Sequence, residues 1–294
     1  MRTLIQNYAN GESTEALYLA ESLSTIGLEA QVWSDGMSAF DKMDTYNPDL
    51  VISHYMFLSA DVFKYLSSNN RIKLIVNVTG ALEEELDNLE SYVKERNINC
   101  PFFFSNEPKE SIKHKGNIKI HSVLNGADIF AINQPVPSFE IGMAIVSDYE
   151  PKSRVLSMTE GVRSWHKIST SEDQQWADIN STIPQAAPFY CNYGKIIVTF
   201  KAGRINQHFF DTVAANGNVE YLTKYEIKQE KLDALINKIL GDNNDKWQNK
   251  VIEKHTCLNR SKQILELLGH KDLCERMDKT IKGFISDYSN TKWL

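Results

Sequence analysis

Gly203–Thr223 reads GRINQHFFDTVAANGNVEYLT and follows the apolar run Lys195–Phe200, KIIVTF. The run is short and β-branched, which predicts a buried strand. Gly203 breaks it. Ile205, Phe209 and Val213, with Phe210 and Ala214, recur at helical spacing over Ile205–Ala215. Asn216–Gly217 stops that helix, and Val219–Leu222 begins another strand. Strand, glycine turn, helix and strand in this order predict an α/β fold with crossover helices. The unpaired amides of the helix's first turn, at Asn206, form an anion site, and Gly203 lets a phosphate approach the backbone. Arg204 adds a donor fork, and Asp211 is an acceptor suited to a hydroxyl. Taken alone, one glycine turn is a weak signal, and these residues favour an ordinary crossover with a surface Arg and a surface Asp.

The amino-terminal part repeats the pattern. Thr3–Gln6 predicts a strand, Thr14–Ile26 an amphipathic helix closed by Gly27, and Leu28–Trp33 a second strand. The loop between the first two elements holds Gly11, Glu12 and Ser13. It suits a phosphate or an acceptor at a helix start but is not the G-x-G-x-x-G of dinucleotide sites. Further strands are expected at Leu50–Ile52, Lys73–Val78, Phe102–Phe104 and Ile118–Val123, with helices at Asp61–Leu66 and Leu82–Arg96. His54 is expected just beyond the carboxyl end of its strand, where open α/β sheets bind ligands. There it suits a base or hydrogen-bond donor, and equally a capping histidine. Thr79 and Gly80 end the next strand.

Ala131–Glu140 (AINQPVPSFE) has two prolines and no periodicity, which predicts a linker. Strands follow at Ile141–Val146 and Arg163–Ile168, then helices at Gln229–Leu240, Asp245–Lys254, His255–Leu267 and Lys271–Leu294.

Several segments, taken together, resemble GT-B glycosyltransferases of the group 1 / family 4 kind. Pro48-Asp49-Leu50-Val51-Ile52-Ser53-His54 is similar to P-D-(V/I)-(V/I)-x-x-H. Thr79-Gly80 stands where the family has a strand ending in H-G. Leu124-Asn125-Gly126-Ala127-Asp128-Ile129-Phe130 resembles (P)-N-G-V-D-x-x-x-F, and His208–Gly217 resembles the donor-site run around E-A-x-A-x-G. His255–Leu265 is similar to the H-T-x-x-x-R-x-x-x-(I/L)-L helix of CgeB-like proteins, where His255 and Arg260 read as structural.

The resemblance implies two Rossmann-like domains with parallel sheets facing a central cleft. Residues 1–133 would be the acceptor domain, 134–275 the nucleotide-sugar domain, and 276–294 a terminal helix crossing back. It implies transfer of a sugar from a nucleotide-sugar, UDP-linked by preference, to an acceptor hydroxyl. Lys152, Arg154, Gly203, Arg204 and Asn206 would hold the diphosphate and Asp211 the ribose. His54 and Glu12 would activate the acceptor. Gly11, Ser13, Thr79 and Gly80 would line an acceptor or phosphate loop. No further cofactor is implied, and without a D-x-D loop a metal-independent reaction is expected. Glycan, lipid-linked and protein acceptors suit the family, as does a hydroxymethylated DNA base, for which Lys109–Lys119 offers backbone contacts.

The chain departs from the family's E-x7-E pair. Asp211 keeps the second carboxylate, and Gly203 occupies the place of the first. A catalytically inactive nucleotide-sugar or glycan binder is therefore a second reading, and a two-domain sugar or anion receptor a third.

Composition bounds these readings. A net charge of −6 with no Lys/Arg-rich block argues against generic nucleic-acid or membrane-surface binding. The four cysteines are widely spaced and lack metal-ligand spacing, as expected of reduced thiols. No signal peptide or apolar run of about 20 residues is read, so a cytoplasmic location is expected.

Overall fold

The computed structural model describes residues 1–6, 14–33 and 38–124 except 108, 110, 111 and 113. It also describes 126, 127, 129, 143–147, 165–169, 196–199, 214 and 245–291. The chain divides into two compact units, Met1–Leu124 with Cys257–Leu294, and Asn125–Thr256.

The first unit runs β1 (Arg2–Gln6), α1 (Thr14–Ser24), β2 (Glu29–Trp33), α2 (Ala39–Tyr46) and β3 (Leu50–His54). A 3-10 turn (Tyr55–Phe57), α3 (Ala60–Ser68), β4 (Lys73–Asn77), α4 (Glu83–Glu95), β5 (Phe103–Ser105) and β6 (Ile120–Ser122) follow. The strands form a wholly parallel sheet in the order β2-β1-β3-β4-β5-β6. Its central strands are apolar on both faces, as a sheet covered by helices requires. Leu4, Val51, Leu74, Val76 and Phe103 pack with Met43, Val62, Leu66, Leu86 and Val93 of α2, α3 and α4. Ile5, Leu50, Ile52 and Ile75 face the other way, toward Ala16 and Ala20 of α1. Each fully buried aliphatic side chain contributes about 1.5–3 kcal/mol, so these two faces hold the unit together.

Local signals set the helix ends. Gly27 takes φ +78°, and the Leu28 amide donates to the Leu23 carbonyl at 3.2 Å, a glycine-terminated helix end. Ser38 and Ser59 cap α2 and α3 through their hydroxyls. The sequence reading assigned no element to α2.

The second unit contains β7 (Met143–Ser147), β8 (Trp165–Ser169) and β9 (Ile196–Thr199), parallel in the order β8-β7-β9, and α5 (Asp245–Lys254). Ala127 bridges Thr256, and its amide donates to the His255 carbonyl at 2.7 Å. Two motif segments far apart in sequence thus meet.

Helices α6 (Cys257–Leu267) and α7 (Lys271–Thr291) belong to the first unit. Ile264 of α6 is buried with Ala16 and Ala20 of α1, and the Gln263 amide donates to the Ser122 carbonyl at 2.8 Å. Arg276 of α7 donates to the Ile26 carbonyl at 3.5 Å. Packing therefore draws the unit boundaries at Leu124 and Cys257, where the sequence reading drew them at 133 and 275. The reason is the apolar face α6 shares with α1. Among the described residues, no helix is long and apolar enough to cross a membrane.

Candidate functional site

In a parallel α/β sheet the chain leaves every strand at one edge, and ligands sit where the strand order reverses. In the first sheet that point lies between β1 and β3. The Gly11–Ser13 loop follows β1, and His54 ends β3. His54 is within the strand, in register with Asn77, and not beyond it as the sequence suggested.

Gln6 and Ser53 span the reversal point. The Ser53 hydroxyl donates to Gln6 Oε1 at 2.7 Å, and Gln6 Nε2 donates to the Phe57 carbonyl at 3.0 Å. One amide therefore fixes the end of β3 and the 3-10 turn that follows. The His54 ring is half-buried, with the Tyr55 ring centroid at 4.8 Å and that of Phe57 at 5.7 Å. Its Nδ1 accepts from the Met56 amide at 3.4 Å. Burial lowers its pKa, and a backbone hydrogen bond with Thr79 pulls less strongly the other way. The ring is neutral at pH 7.

A second brace joins β4 to β5. The Thr79 amide and hydroxyl both donate to Asn77 Oδ1, at 3.0 and 2.6 Å, and Thr79 Oγ1 accepts from the Asn106 amide at 2.8 Å. Gly80 has φ +79°, and the Ala81 amide donates to the Val78 carbonyl at 3.0 Å. The turn demands the conformation glycine supplies. The Leu82 amide then donates to Glu85 Oε2 at 2.7 Å at the start of α4, and the Tyr55 hydroxyl reaches the same oxygen at 3.4 Å. The edge of β3 and β4 is thus one connected surface carrying His54, Thr79 and Gly80.

The second sheet reverses between β7 and β9, which leave side by side at Ser147 and Thr199. Lys152 and Arg154 follow β7 in sequence, and Gly203 and Arg204 follow β9. Those four residues, with Asn206 and Asp211, lie outside the described residues, as do Gly11, Glu12 and Ser13.

Arg260 of α6 is half-buried, and desolvation pushes its guanidinium pKa down to about 10. Sequence reasoning assigned no role to Glu90, a buried carboxylate of α4. It accepts from the Asn117 amide at 2.8 Å and lies 3.1 Å from His114 Nε2, and these hydrogen bonds hold its pKa low against the effect of burial. This pair anchors the segment before β6. Among the described residues, no group of three or more His, Cys, Asp or Glu side chains is arranged to hold a metal ion.

No family model matches the chain, and no curated protein matches it. Solved structures do. The glycosyltransferase SnogD from Streptomyces nogalater matches with a TM-score of 0.48 and 12% identity, over 91% of this chain and 99% of that one. The calicheamicin glycosyltransferase CalG4 matches at 0.45 and 10%, over 91% and 98%. The spinosyn forosaminyltransferase SpnP matches at 0.43 and 10%, over 98% and 95%.

Proposed function

We propose that the chain is a GT-B-type glycosyltransferase that moves a sugar from a nucleotide-sugar to an acceptor hydroxyl. One observation carries the reading. In each of its two parallel sheets, the candidate segments follow the two strands between which the strand order reverses, β1 and β3 in one, β7 and β9 in the other.

In this reading the second unit takes the donor. Lys152, Arg154 and Arg204, with the backbone at Gly203 and Asn206, neutralise the diphosphate. Asp211 accepts from the ribose hydroxyls. Negative charge grows on the departing diphosphate, so donors already in place there lower the barrier more than ground-state binding does. The leaving group is stabilised by these cations without a metal ion, and the nucleotide is uridine diphosphate by preference. The first unit takes the acceptor. His54, neutral at pH 7, exchanges its long contact with the Met56 amide for the acceptor hydroxyl and removes its proton, with Glu12 the alternative base.

Release of nucleoside diphosphate from a panel of nucleotide-sugars, lost in Asp211→Ala, tests the reading; no release from any of them contradicts it. Gly203 at the place of the first acid favours one other reading, a binder without turnover. It predicts nucleotide-sugar binding without diphosphate release.

A further inference from the structure

His54 and Asn77 stand opposite each other on the neighbouring strands β3 and β4, and the bonds around them settle which nitrogen of the imidazole carries the proton. The Met56 amide reaches Nδ1 at 3.4 Å. A backbone amide only donates, so Nδ1 is bare and the one proton of the neutral ring sits on Nε2. The ring also bonds the Thr79 backbone. The Thr79 amide is already committed to Asn77 Oδ1 at 3.0 Å, which leaves the Thr79 carbonyl to accept from Nε2.

Thr79 is itself held. Its hydroxyl donates to the same Asn77 oxygen at 2.6 Å and accepts from the Asn106 amide at 2.8 Å. Gly80 turns the chain directly after it with φ +79°. The Tyr55 and Phe57 rings lie against the imidazole, with centroids at 4.8 and 5.7 Å. The Met56 contact, by contrast, is longer than the roughly 2.7–3.2 Å of a good N–H hydrogen bond. One ring nitrogen is fixed and the other is loosely held.

From this we infer that Asn77 is a positioning residue for His54: by holding the Thr79 carbonyl on Nε2–H, it locks the ring in the tautomer whose Nδ1 is the base. The inference deepens the transferase reading and rests on it for the reaction; the tautomer stands apart from it. The acceptor hydroxyl replaces the Met56 amide at Nδ1. Its O–H bond breaks toward Nδ1, its oxygen bonds the anomeric carbon, and the diphosphate leaves with the electron pair of the broken bond. The imidazolium keeps Nε2–H on the Thr79 carbonyl and then returns the added proton to water. In the opposite tautomer Nδ1 already carries a proton and cannot take another.

The test is nitrogen-15 NMR of the imidazoles of the full chain at pH 8, with the His54 signals assigned by their loss in His54→Gln. Wild-type His54 is expected to show a protonated Nε2 and a bare Nδ1. Asn77→Ala should mix the two tautomers, and Asn77→Asp, which keeps an acceptor oxygen, should restore the single one. Nucleoside diphosphate release should fall roughly ten- to a hundredfold in kcat in Asn77→Ala, with KM for the nucleotide-sugar unchanged. Melting temperatures show that the variants fold; should Asn77→Ala not fold, the wild-type and Asn77→Asp spectra decide. A wild-type ring protonated on Nδ1, or a ring spectrum indifferent to Asn77→Ala, overturns the inference whatever the activity. An unchanged kcat in a variant whose tautomers have mixed overturns the positioning role. No diphosphate release by a wild-type chain with the expected tautomer removes the transferase reading and leaves the tautomer assignment.

Discussion

Ser53 donates its hydroxyl to the Gln6 side-chain carbonyl at 2.7 Å, across the point where the strand order of the first sheet reverses. Gln6 in turn donates to the Phe57 carbonyl. Ser53 is buried, so Ser53→Ala leaves an acceptor without its donor and should cost about 1–3 kcal/mol. Denaturant unfolding checks this, and a loss below about 0.5 kcal/mol would mean the bridge is not structural.

His54→Ala should lower transfer by about 10²–10⁴-fold while leaving nucleotide-sugar binding intact. Because burial depresses its pKa, the acid limb of kcat/KM should fall below pH 6.5. Steady-state kinetics from pH 5 to 8 decide it, and a limb above pH 6.5 or an unchanged rate would remove His54 as the base.

The Glu90 carboxylate joins α4 to the segment before β6. Glu90→Ala should cost about 1.5–3 kcal/mol, the range for a charged hydrogen-bond acceptor. A side chain at Gly116 would collide with the Glu90 carboxylate and the His114 ring, so Gly116→Ala should destabilise in the same direction. Thermal unfolding of both variants is the check; a neutral Gly116→Ala would show that the pair yields without cost.

Stability should also fall with acid in two steps. His54, His121 and His270 all have lowered pKa values, burial being the largest cause in each. The unfolded chain takes up these protons near pH 6.5 and the folded chain only below it. Stability is therefore full above pH 6.5 and declines as pH drops through the folded values. Glu90 is also lowered, so its contribution persists to below pH 4.5 before it is lost. Denaturant midpoints at pH 7.5, 6.0 and 5.0 should decrease in that order, less steeply in His54→Gln. A flat response from 7.5 to 5.0 would contradict the assignment.

The parallel sheets were legible from short apolar runs such as Leu50–Ile52 and Lys73–Val78, because strands covered on both faces carry no polar alternation. Helix α2 was not. It is only eight residues long and one of its buried residues is Lys42, so its apolar residues Ala39, Phe40, Met43 and Tyr46 make a short pattern, and its clearest signal was the Ser38 cap on the Asp41 amide. The Gln6–Ser53 bridge joins residues on strands distant in sequence, and only sheet register brings them together. Glu90 and His114 are likewise brought together by tertiary packing, and neither position carries a motif. His54 was legible as a strand-end residue. Its backbone contacts with Met56 and Thr79, which give it a bracing role as well, follow from the turns and not from the motif.

A thermal-shift screen of the purified chain against UDP-, GDP-, ADP-, CMP- and dTDP-sugars probes the proposed donor site. Repeating the screen with Asp211→Ala and Arg204→Ala assigns the residues. At about 100 times its dissociation constant a bound nucleotide-sugar should add about 2.7 kcal/mol of stability. A shift with one nucleotide, the uridine one by preference, that disappears in both variants is the predicted result. Folded protein that shifts with none of them has no such donor site.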